Sequence, residues 1–352
     1  MRIGSIIKKL LAAGLLSLFF AVPVQVQASG ETFKVGYLEG GDYWLFDRTL
    51  QATKNALKEQ GWHGRVEFPE SAHFSPGWDK GEAVWNEKAN ELMQRKDLDL
   101  VIGMGTDATK ALLKNNNHKT PILGMGVSDA LKSGFIRNEN DSGIDNFTVR
   151  IVPGRYKRMF EIFHQVVGFD NLGLIYPDTE SGRKYTNLES AREVAREKGF
   201  EITEHVLQSE KTGECLKGVK DLEKRGIDAF FVPSLLCFDW DKSDVNRLFE
   251  SLREKNIATF ARNGSQDVRA GALMGFSTID FSKRGTFLAD KMTKILNGKK
   301  PRSLVMKDDA VPKISLNIQV AQEIGFDPSF EILAATDEIY EEIVLPKDRH
   351  KD

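Results

Sequence analysis

The sequence has little cysteine and little histidine, and it lacks the local patterns of common catalytic and metal sites. Its 352 residues include two cysteines, which are too few for a disulfide scaffold. No Gly-x-Ser-x-Gly motif occurs, and neither cysteine has a nearby histidine that would activate it as a nucleophile. The histidines are scattered, and none has a second ligand at metal-site spacing: His63, His73, His118, His164, His205 and His350. We therefore expect no catalytic residue, no metal, no cofactor and no enzymatic activity.

The longest apolar run lies near the start of the chain, and it is too short to span a membrane. Residues 10–22 form a run of about 13 residues, whereas a transmembrane helix needs roughly 20. Arg2 and two lysines precede the run and small residues lead up to Ala28, which is the layout of a secretory signal peptide. We predict cleavage after Ala28, a mature chain that begins near Ser29, and a periplasmic or otherwise extracytoplasmic location. A retained N-terminal anchor is the alternative.

The chain also lacks a strong excess of charge of either sign. It has 49 basic and 51 acidic residues, for a formal net charge of −2. Removal of residues 1–28 takes away cations and no acid, so the mature chain is more acidic. Such a chain is a poor binder of nucleic acid or of an anionic membrane, and we expect neither as a partner. Its length suits two domains of ordinary size.

Short apolar segments alternate with amphipathic segments along most of the chain. Residues 98–103 (LDLVIG) and 121–126 (PILGMG) read as buried strands, with a helix at 107–115 between them. The same unit recurs in the second half, with strands at 171–176 and 228–233. Apolar strands that alternate with amphipathic helices are typical of a parallel sheet covered on both faces. The predicted fold class is α/β, with two doubly wound parallel-sheet lobes joined by a multi-strand hinge, the construction of a type I periplasmic binding protein fold.

The predicted domain boundaries depend on three crossings between the lobes. Residues 271–277 and a helix at 280–296 read as a return toward the first lobe, because the second lobe already has its strands. The predicted first lobe comprises residues 29–148, about 279–300, and 317–352. The predicted second lobe comprises residues 149–278 and about 301–316.

Loops that follow the predicted strands are the expected place for a ligand, because open α/β sheets bind ligands beyond their strand C-termini. Aromatic rings there can hold a planar ligand, Arg262 can pair with a carboxylate, and Asp129 can receive an ammonium group. Gly105 lets backbone approach a ligand, and Thr106 can cap the helix that follows. The alternatives are rings packed under loops, an interlobe salt bridge for Arg262, and plain helix caps. The predicted ligand-binding residues are Tyr43, Trp44, Gly105, Thr106, Ser128, Asp129, Tyr176, Ser181, Ser234, Phe238, Arg262 and Phe276.

Four segments resemble the ABC-transporter substrate-binding proteins of the tryptophan and tyrosine type. They are residues 98–113 (LDLVIGMGTDATKALL), 121–136 (PILGMGVSDALKSGFI), 171–202 and 271–301. Their order and spacing carry the resemblance across most of residues 33–326. The chain departs from the family pattern at residues 39–44 (EGGDYW), at residues 235–240 (LLCFDW) and in the tail after Asp327.

The resemblance implies an extracytoplasmic solute-binding protein of an ABC importer. Such a protein would capture a small ligand, with an aromatic amino acid or related compound favoured, between two closing lobes. It would then pass the ligand to an ABC permease in the cytoplasmic membrane, and it would act as a monomer. Two alternatives stay open, which are a periplasmic ligand sensor that acts on a receptor kinase and an exported enzyme on the same fold.

The two cysteines fall where they can lie near one another. Cys215 is at the start of a predicted helix at 214–225, and Cys237 is just past the end of the strand at 228–233. Helix and strand run antiparallel, so both cysteines share one edge of the sheet. A disulfide needs Cα atoms within about 7 Å and converging Cβ vectors. The alternative is two separately buried small apolar residues.

Overall fold

Two β-sheets organise the computed structural model, which describes residues 32–276, 281–309, 313–347 and 349–350. The predicted signal peptide, its cleavage site and Ser29 lie outside the described residues. Within the described part of the chain, no helix has both the length and the apolar character needed to cross a membrane.

The first sheet takes its strands from the first part of the chain. Its strands and their helices are β1 (Phe33–Glu39), α1 (Trp44–Glu59), β2 (Val66–Glu67), β3 (His73–Phe74), α2 (Gly81–Gln94), β4 (Leu100–Met104), α3 (Thr106–Lys114), β5 (Ile122–Met125) and β6 (Phe147–Val149). The strand order is β2-β1-β4-β5-β6, β3 also pairs with β1, and all of these pairs are parallel.

Strand β4 shows why the buried strands read as continuous apolar runs. Leu100, Ile102 and Met104 belong to the core on one face of the sheet, and Val101 belongs to the core on the other face. Successive side chains of a strand point to opposite faces. Because helices cover both faces, every position of the strand is buried and apolar.

The second sheet is built mainly from the second half of the chain. The remaining elements are α4 (Arg155–Val167), β7 (Asn171–Pro177), α5 (Glu180–Tyr185), α6 (Leu188–Lys198), β8 (Glu201–Leu207), α7 (Thr212–Lys224), β9 (Ala229–Val232), α8 (Val245–Glu254), β10 (Ala258–Ala261), α9 (Ser265–Arg269), β11 (Met274–Phe276), α10 (Phe281–Leu296), β12 (Ile314–Asn317), α11 (Ile318–Glu323), α12 (Phe330–Ala335) and β13 (Glu338–Tyr340). The strand order is β13-β12-β11-β10-β9-β7-β8, and β11 with β12 is the antiparallel pair. The predicted α/β class with two doubly wound sheets is confirmed.

Helix α10 returns from the second sheet to pack on α1 of the first. Gly285 lies against the backbone carbonyl of Ala52 so closely that no Cβ fits between them. Leu288 and Met292 join the core that also contains Leu100 of β4. The chain therefore passes between the sheets after β6, after β11 and after α10.

Strand pairing near the C-terminus differs from the predicted lobe boundaries. β12 pairs with β11 and β13 pairs with β12, so residues 314–340 extend the second sheet, whereas the sequence favoured the first lobe for residues 317–352. In the segment 301–316, Arg302 donates from Nε to Asp141 at 2.7 Å, so its start lies beside the first sheet. Short extended segments have the same apolar pattern at the edge of either sheet, so their order along the chain does not show which sheet they join.

Cys215 in the first turn of α7 and Cys237 after β9 form a disulfide. Their Cα atoms are 6.5 Å apart, and both side chains are fully buried in the core of the second sheet. The shared sheet edge therefore brings the two residues within bridging distance, and the alternative of two separately buried cysteines does not describe this structure.

Candidate ligand-binding cleft

A cavity of about 490 Å³, called the cleft here, lies between the two sheets. Its walls are the loops and helix N-termini that follow the strands, where open α/β sheets bind ligands. The first-sheet side includes Tyr43, Phe46, Trp78, Trp85, Asp107 and Ser128. The second-sheet side includes Ser181, Tyr185, Glu210, Ser234, Leu235 and Arg262.

Aromatic rings form one wall of the cleft. The ring of Phe46 lies 6.1 Å from that of Trp78, which lies 6.4 Å from that of Trp85. Trp78 Nε1 donates to the carbonyl of Asp42 at 3.0 Å. Trp85 Nε1 donates to the carbonyl of Gly40 at 3.1 Å. These bonds fix the polar edges of the indoles, so the apolar parts of the rings can contact a planar or apolar ligand.

Two glycines allow Trp78 to pack against the end of β1. A Cβ at Gly40 would lie 2.7 Å from Cζ3 of Trp78, and a Cβ at Gly41 would lie 2.8 Å from its Cδ1. Any larger residue would push the indole away. Both glycines belong to residues 39–44 (EGGDYW), so this segment determines how closely Trp78 can approach.

Asp107 is a buried carboxylate in the first turn of α3, and it joins the two sides of the cleft. Ser181 Oγ donates to its Oδ1 at 2.6 Å, and the Tyr185 hydroxyl donates to its Oδ2 at 2.8 Å. Burial, and then the charge of Asp107, raise the pKa of Tyr185 well above its usual value, so the hydroxyl stays a donor. The helix N-terminus favours the negative charge of Asp107, and each of its oxygens can accept a further hydrogen bond.

Arg262 is 8% exposed, and neutral groups hold its guanidinium. Nε donates to Asn187 Oδ1 at 2.6 Å, and Nη2 donates to Ser128 Oγ at 2.7 Å. Nη1 donates to Ser234 Oγ, and the Tyr156 ring centroid lies 5.1 Å from the guanidinium carbon. No carboxylate of the described residues forms an ion pair with Arg262, so its charge is available to an anionic ligand group. The bond to Ser128 joins the two sides without the interlobe salt bridge that was the alternative.

Thr106 ties two loops of the first sheet together. Its Oγ1 accepts a hydrogen bond from the backbone N–H of Ser128 at 3.0 Å. Thr106 is the first residue of α3 and not its N-cap, so the expected cap is not formed. The N-cap is Gly105, whose φ is +85° and whose Cβ would lie 2.6 Å from Cζ of Phe46. Glycine at this position therefore serves the backbone turn and the packing of Phe46.

Tyr43 and Glu210 add buried polar atoms to the cleft. The Tyr43 hydroxyl has no partner of hydrogen-bonding geometry among the described residues. Burial raises its pKa, against the smaller opposing effects of the nearby Ser234 and Arg262. Burial also raises the pKa of Glu210, which accepts from the backbone N–H of Leu236 at 2.6 Å. The cleft thus offers a ligand both a phenol donor and a second carboxyl group.

Charged residues at the rim also cross the cleft. Lys110 Nζ donates to Glu180 at 2.9 Å and lies 3.9 Å from Glu82. These side chains are exposed, so the contacts contribute little to stability. Among the described residues, no three His, Cys, Asp or Glu side chains converge as metal ligands.

Several predicted site residues lie away from the cleft. Tyr176, Phe238 and Phe276 are buried in the cores that flank the second sheet. Trp44 begins α1 and does not line the cleft, and Asp129 lines a second cavity instead. A position at the end of a strand does not reveal whether a ring turns toward solvent or into the core.

The cleft contains five of the predicted residues, Tyr43, Ser128, Ser181, Ser234 and Arg262. It also contains residues that the sequence analysis missed, which are Phe46, Trp78, Trp85, Asp107, Tyr185 and Glu210. Asp107 directly follows Thr106, which was predicted to bind ligand, and this adjacency could have identified Asp107 as a cleft residue. The sequence pattern predicts a helix over residues 78–95, and such a pattern does not show which side of the helix meets the cleft. In the structure α2 begins at Gly81, so Trp85 lies on the helix and Trp78 precedes it.

Comparisons with known proteins agree with this geometry. The family model described as ABC transporter substrate binding protein matches residues 46–340. No curated relative matches the sequence. A solved ABC domain from Streptococcus pneumonia in complex with L-Trp is 19% identical with a TM-score of 0.71, and the match covers 87% of this chain and 99% of that chain.

Two further solved structures have the same architecture. A conserved domain protein from Vibrio cholerae is 18% identical with a TM-score of 0.72, and the match covers 88% of this chain and 100% of that chain. The ligand-free, open structure of a substrate binding protein with adhesive properties from Clostridium difficile is 20% identical with a TM-score of 0.58, over 88% of this chain and 100% of that chain. These likenesses confirm the type I periplasmic binding protein fold. Because the family match spans most of the chain and the fold agrees with it, the protein belongs to the ABC transporter substrate-binding protein family.

Proposed function

We propose that the protein captures an aromatic amino acid, or a related compound, outside the cytoplasm and delivers it to the permease of an ABC importer. The observation that carries this ligand class is the composition of the cleft. Trp78 and Trp85 supply an apolar aromatic wall, and the buried Asp107 and Arg262 supply one charge of each sign. A zwitterion with a planar side chain complements all of these groups at once.

Asp107 and Arg262 would determine how the ligand is oriented in the cleft. Arg262 lacks an anionic partner among the described residues, so it would bind the ligand carboxylate. Asp107 would accept the ligand ammonium in addition to its bonds from Ser181 and Tyr185. This role replaces the one expected for Asp129, which faces another cavity. The likeness in fold to a protein solved with L-Trp supports the aromatic choice.

Closure of two lobes around the ligand would be the working step. In this proposal each lobe is built on one sheet, and the three crossings between the sheets act as the hinge. The bonds of Asp107 to α5 and of Arg262 to Ser128 form when the two sides meet. A ligand that bridges the same residues binds the closed form best and shifts the population toward it. The protein would change no covalent bond of the ligand. A monomer, exported by its signal peptide, would be able to perform this capture and delivery.

Thermal unfolding with a ligand panel tests the proposal. The mature protein would be melted with each of the twenty amino acids and with small aromatic acids. A ligand at a hundredfold excess over its Kd stabilises the folded state by about 2.7 kcal/mol, which raises Tm by a few degrees. Aromatic amino acids should give the largest shifts. If no compound of the panel shifts Tm, the amino-acid assignment is wrong and family membership alone stands.

Charge-matched variants locate the binding site. Asp107→Asn and Arg262→Gln each remove one charge-assisted bond worth about 1.5–3 kcal/mol, so ligand affinity should fall at least about tenfold. Asp221→Asn and Arg302→Gln remove the same charges outside the cleft. These two controls should retain wild-type affinity within about twofold, a change of less than about 0.5 kcal/mol. Equal losses in all four variants would contradict the assignment of Asp107 and Arg262.

A further inference from the structure

A second cavity of about 280 Å³ adjoins the cleft at Arg262. Its wall includes residues 150–157, where the chain crosses from the first sheet to the second, so we call it the crossing cavity. It shares Leu45, Gly126, Ser128 and Arg262 with the cleft. Its other cationic lining residues are Lys132, Arg150, Arg155, Lys157 and Arg284. This concentration of positive charge is not used by the proposed amino-acid site.

The carboxylates of the crossing cavity are already engaged. Glu193 pairs with Lys157 at 3.0 Å, and Glu139 pairs with Lys307 at 3.0 Å. Asp129 Oδ1 accepts from a backbone N–H at 3.0 Å. None of them pairs with an arginine of the cavity within the described part of the chain.

Two arginines of the crossing cavity have no acidic partner among the described residues. Arg150 forms an ion pair with Asp308 at 2.5 Å, whereas Arg155 and Arg284 form no ion pair with any described residue. The guanidinium of Arg155 lies 5.5 Å from the ring centroid of Phe276. Arg284 donates from Nη1 to the hydroxyl of Thr49 at 3.3 Å. Both guanidinium groups therefore line the cavity without an ion pair to any carboxylate of the described residues.

Neighbouring arginines repel the charges of these two arginines. Burial, and then the neighbouring charges of Arg150 and Arg155, lower the pKa of Arg284 to about 9, against smaller opposing effects of Tyr156 and Asp308. Burial lowers the pKa of Arg155 as well; the neighbouring Tyr156 opposes this effect, and the charges of Arg150 and Arg262 add to it. Both groups remain charged at neutral pH, so like charges confront each other. The N-terminus of α4, which has no side-chain cap, adds partial positive charge to the same wall.

We propose that the crossing cavity binds one small oxyanion, such as phosphate, sulfate or a carboxylate, between Arg155 and Arg284. Arg155 begins α4 of the second sheet, whereas Arg284 belongs to α10, which packs on α1 of the first. An anion held by both links the two sides at the crossings and cancels their repulsion. It thereby favours the closed form as a co-ligand. This site is independent of the identity of the ligand in the cleft.

Calorimetric titration of the mature protein with inorganic phosphate, sulfate and acetate tests this site, at constant ionic strength and without any amino acid. At least one anion should bind saturably at one site per chain. Arg155→Gln and Arg284→Gln should each weaken that affinity at least about tenfold, because each removes a charge-assisted contact. Arg196→Gln is the matched control, since Arg196 is exposed on α6 and should leave the affinity unchanged.

A second measurement separates lost binding from lost folding. Without added anion, Arg284→Gln relieves repulsion, so its Tm should equal or exceed that of the wild type. With saturating anion, the order of the two Tm values should reverse. The absence of saturable binding to the folded wild type, or equal binding by all variants, would overturn the proposal. Neither outcome depends on whether the cleft binds an amino acid.

Discussion

Replacement of Tyr185 by phenylalanine removes one hydrogen bond across the cleft and keeps the aromatic ring. The Tyr185 hydroxyl on α5 lies 2.8 Å from Oδ2 of Asp107 on α3. The two residues belong to opposite sides of the cleft. The bond therefore contributes when the sides are together, and its loss should act on closure more than on the folding of either side.

The free energy lost in Tyr185→Phe depends on the charge of the acceptor, the Asp107 carboxylate. A hydrogen bond to a charged group contributes about 1.5–3 kcal/mol. Asp107 keeps its bond from Ser181 at 2.6 Å, so the carboxylate is not left without a donor and the lower end applies. A loss of about 1.5 kcal/mol is about tenfold in an equilibrium constant. We expect Tyr185→Phe to weaken ligand binding about tenfold, because a smaller fraction of the protein reaches the closed form.

Calorimetric titration with L-tryptophan measures the change against a matched control. Tyr176→Phe deletes the same hydroxyl, which donates to Glu204 at 2.5 Å within the second sheet and away from the cleft. The control should keep ligand affinity within about twofold while its free energy of unfolding falls by about 1 kcal/mol. Unchanged affinity in Tyr185→Phe, or an equal loss in both variants, would refute the assignment of this bond to closure.

Three further predictions concern stability. Reduction of the Cys215–Cys237 disulfide should lower the free energy of unfolding by about 3 kcal/mol in urea titrations, because the bridge closes a loop with a sequence separation of 22. Two free thiols per chain in the denatured, unreduced protein would contradict the bridge. Burial raises the pKa of Glu39 from 4.5 to about 7, so its contribution to stability is complete below pH 4.5 and is lost as pH rises through about 7. Glu39→Gln should flatten the pH dependence of Tm in that window, and an unchanged slope would show that Glu39 is not its source. Gly285→Val should destabilise the protein by about 1–3 kcal/mol in the same urea assay, since the valine side chain would collide with the backbone of Ala52. Wild-type stability of this variant would show that α1 and α10 move apart at no cost.

The sequence by itself determined the class of the fold and the edge where the site lies. Residues 100–104 and 122–125 are continuously apolar because both faces of a covered parallel sheet are buried, and this property is local. The C-terminal ends of parallel strands meet at one edge, so the order of the strands along the chain was enough to group Ser128, Ser234 and Arg262.

The tertiary structure alone decided which side chains face the cleft. Phe238 follows β9 and Phe276 ends β11, and both rings turn into the core. Tyr43, which follows β1 and precedes α1, lines the cleft instead. Trp78 reaches the cleft because Gly40 and Gly41, which directly follow β1, leave room for its indole.

The sequence likewise could not predict which distant segments pair with one another. Residues 314–340 join the second sheet through hydrogen bonds to β11 that no local pattern encodes. Arg155 and Arg284 are far apart along the chain, and they confront each other because the chain crosses between the sheets beside both of them. Local periodicity fixes which elements form, but only the three-dimensional packing of those elements fixes which charges meet.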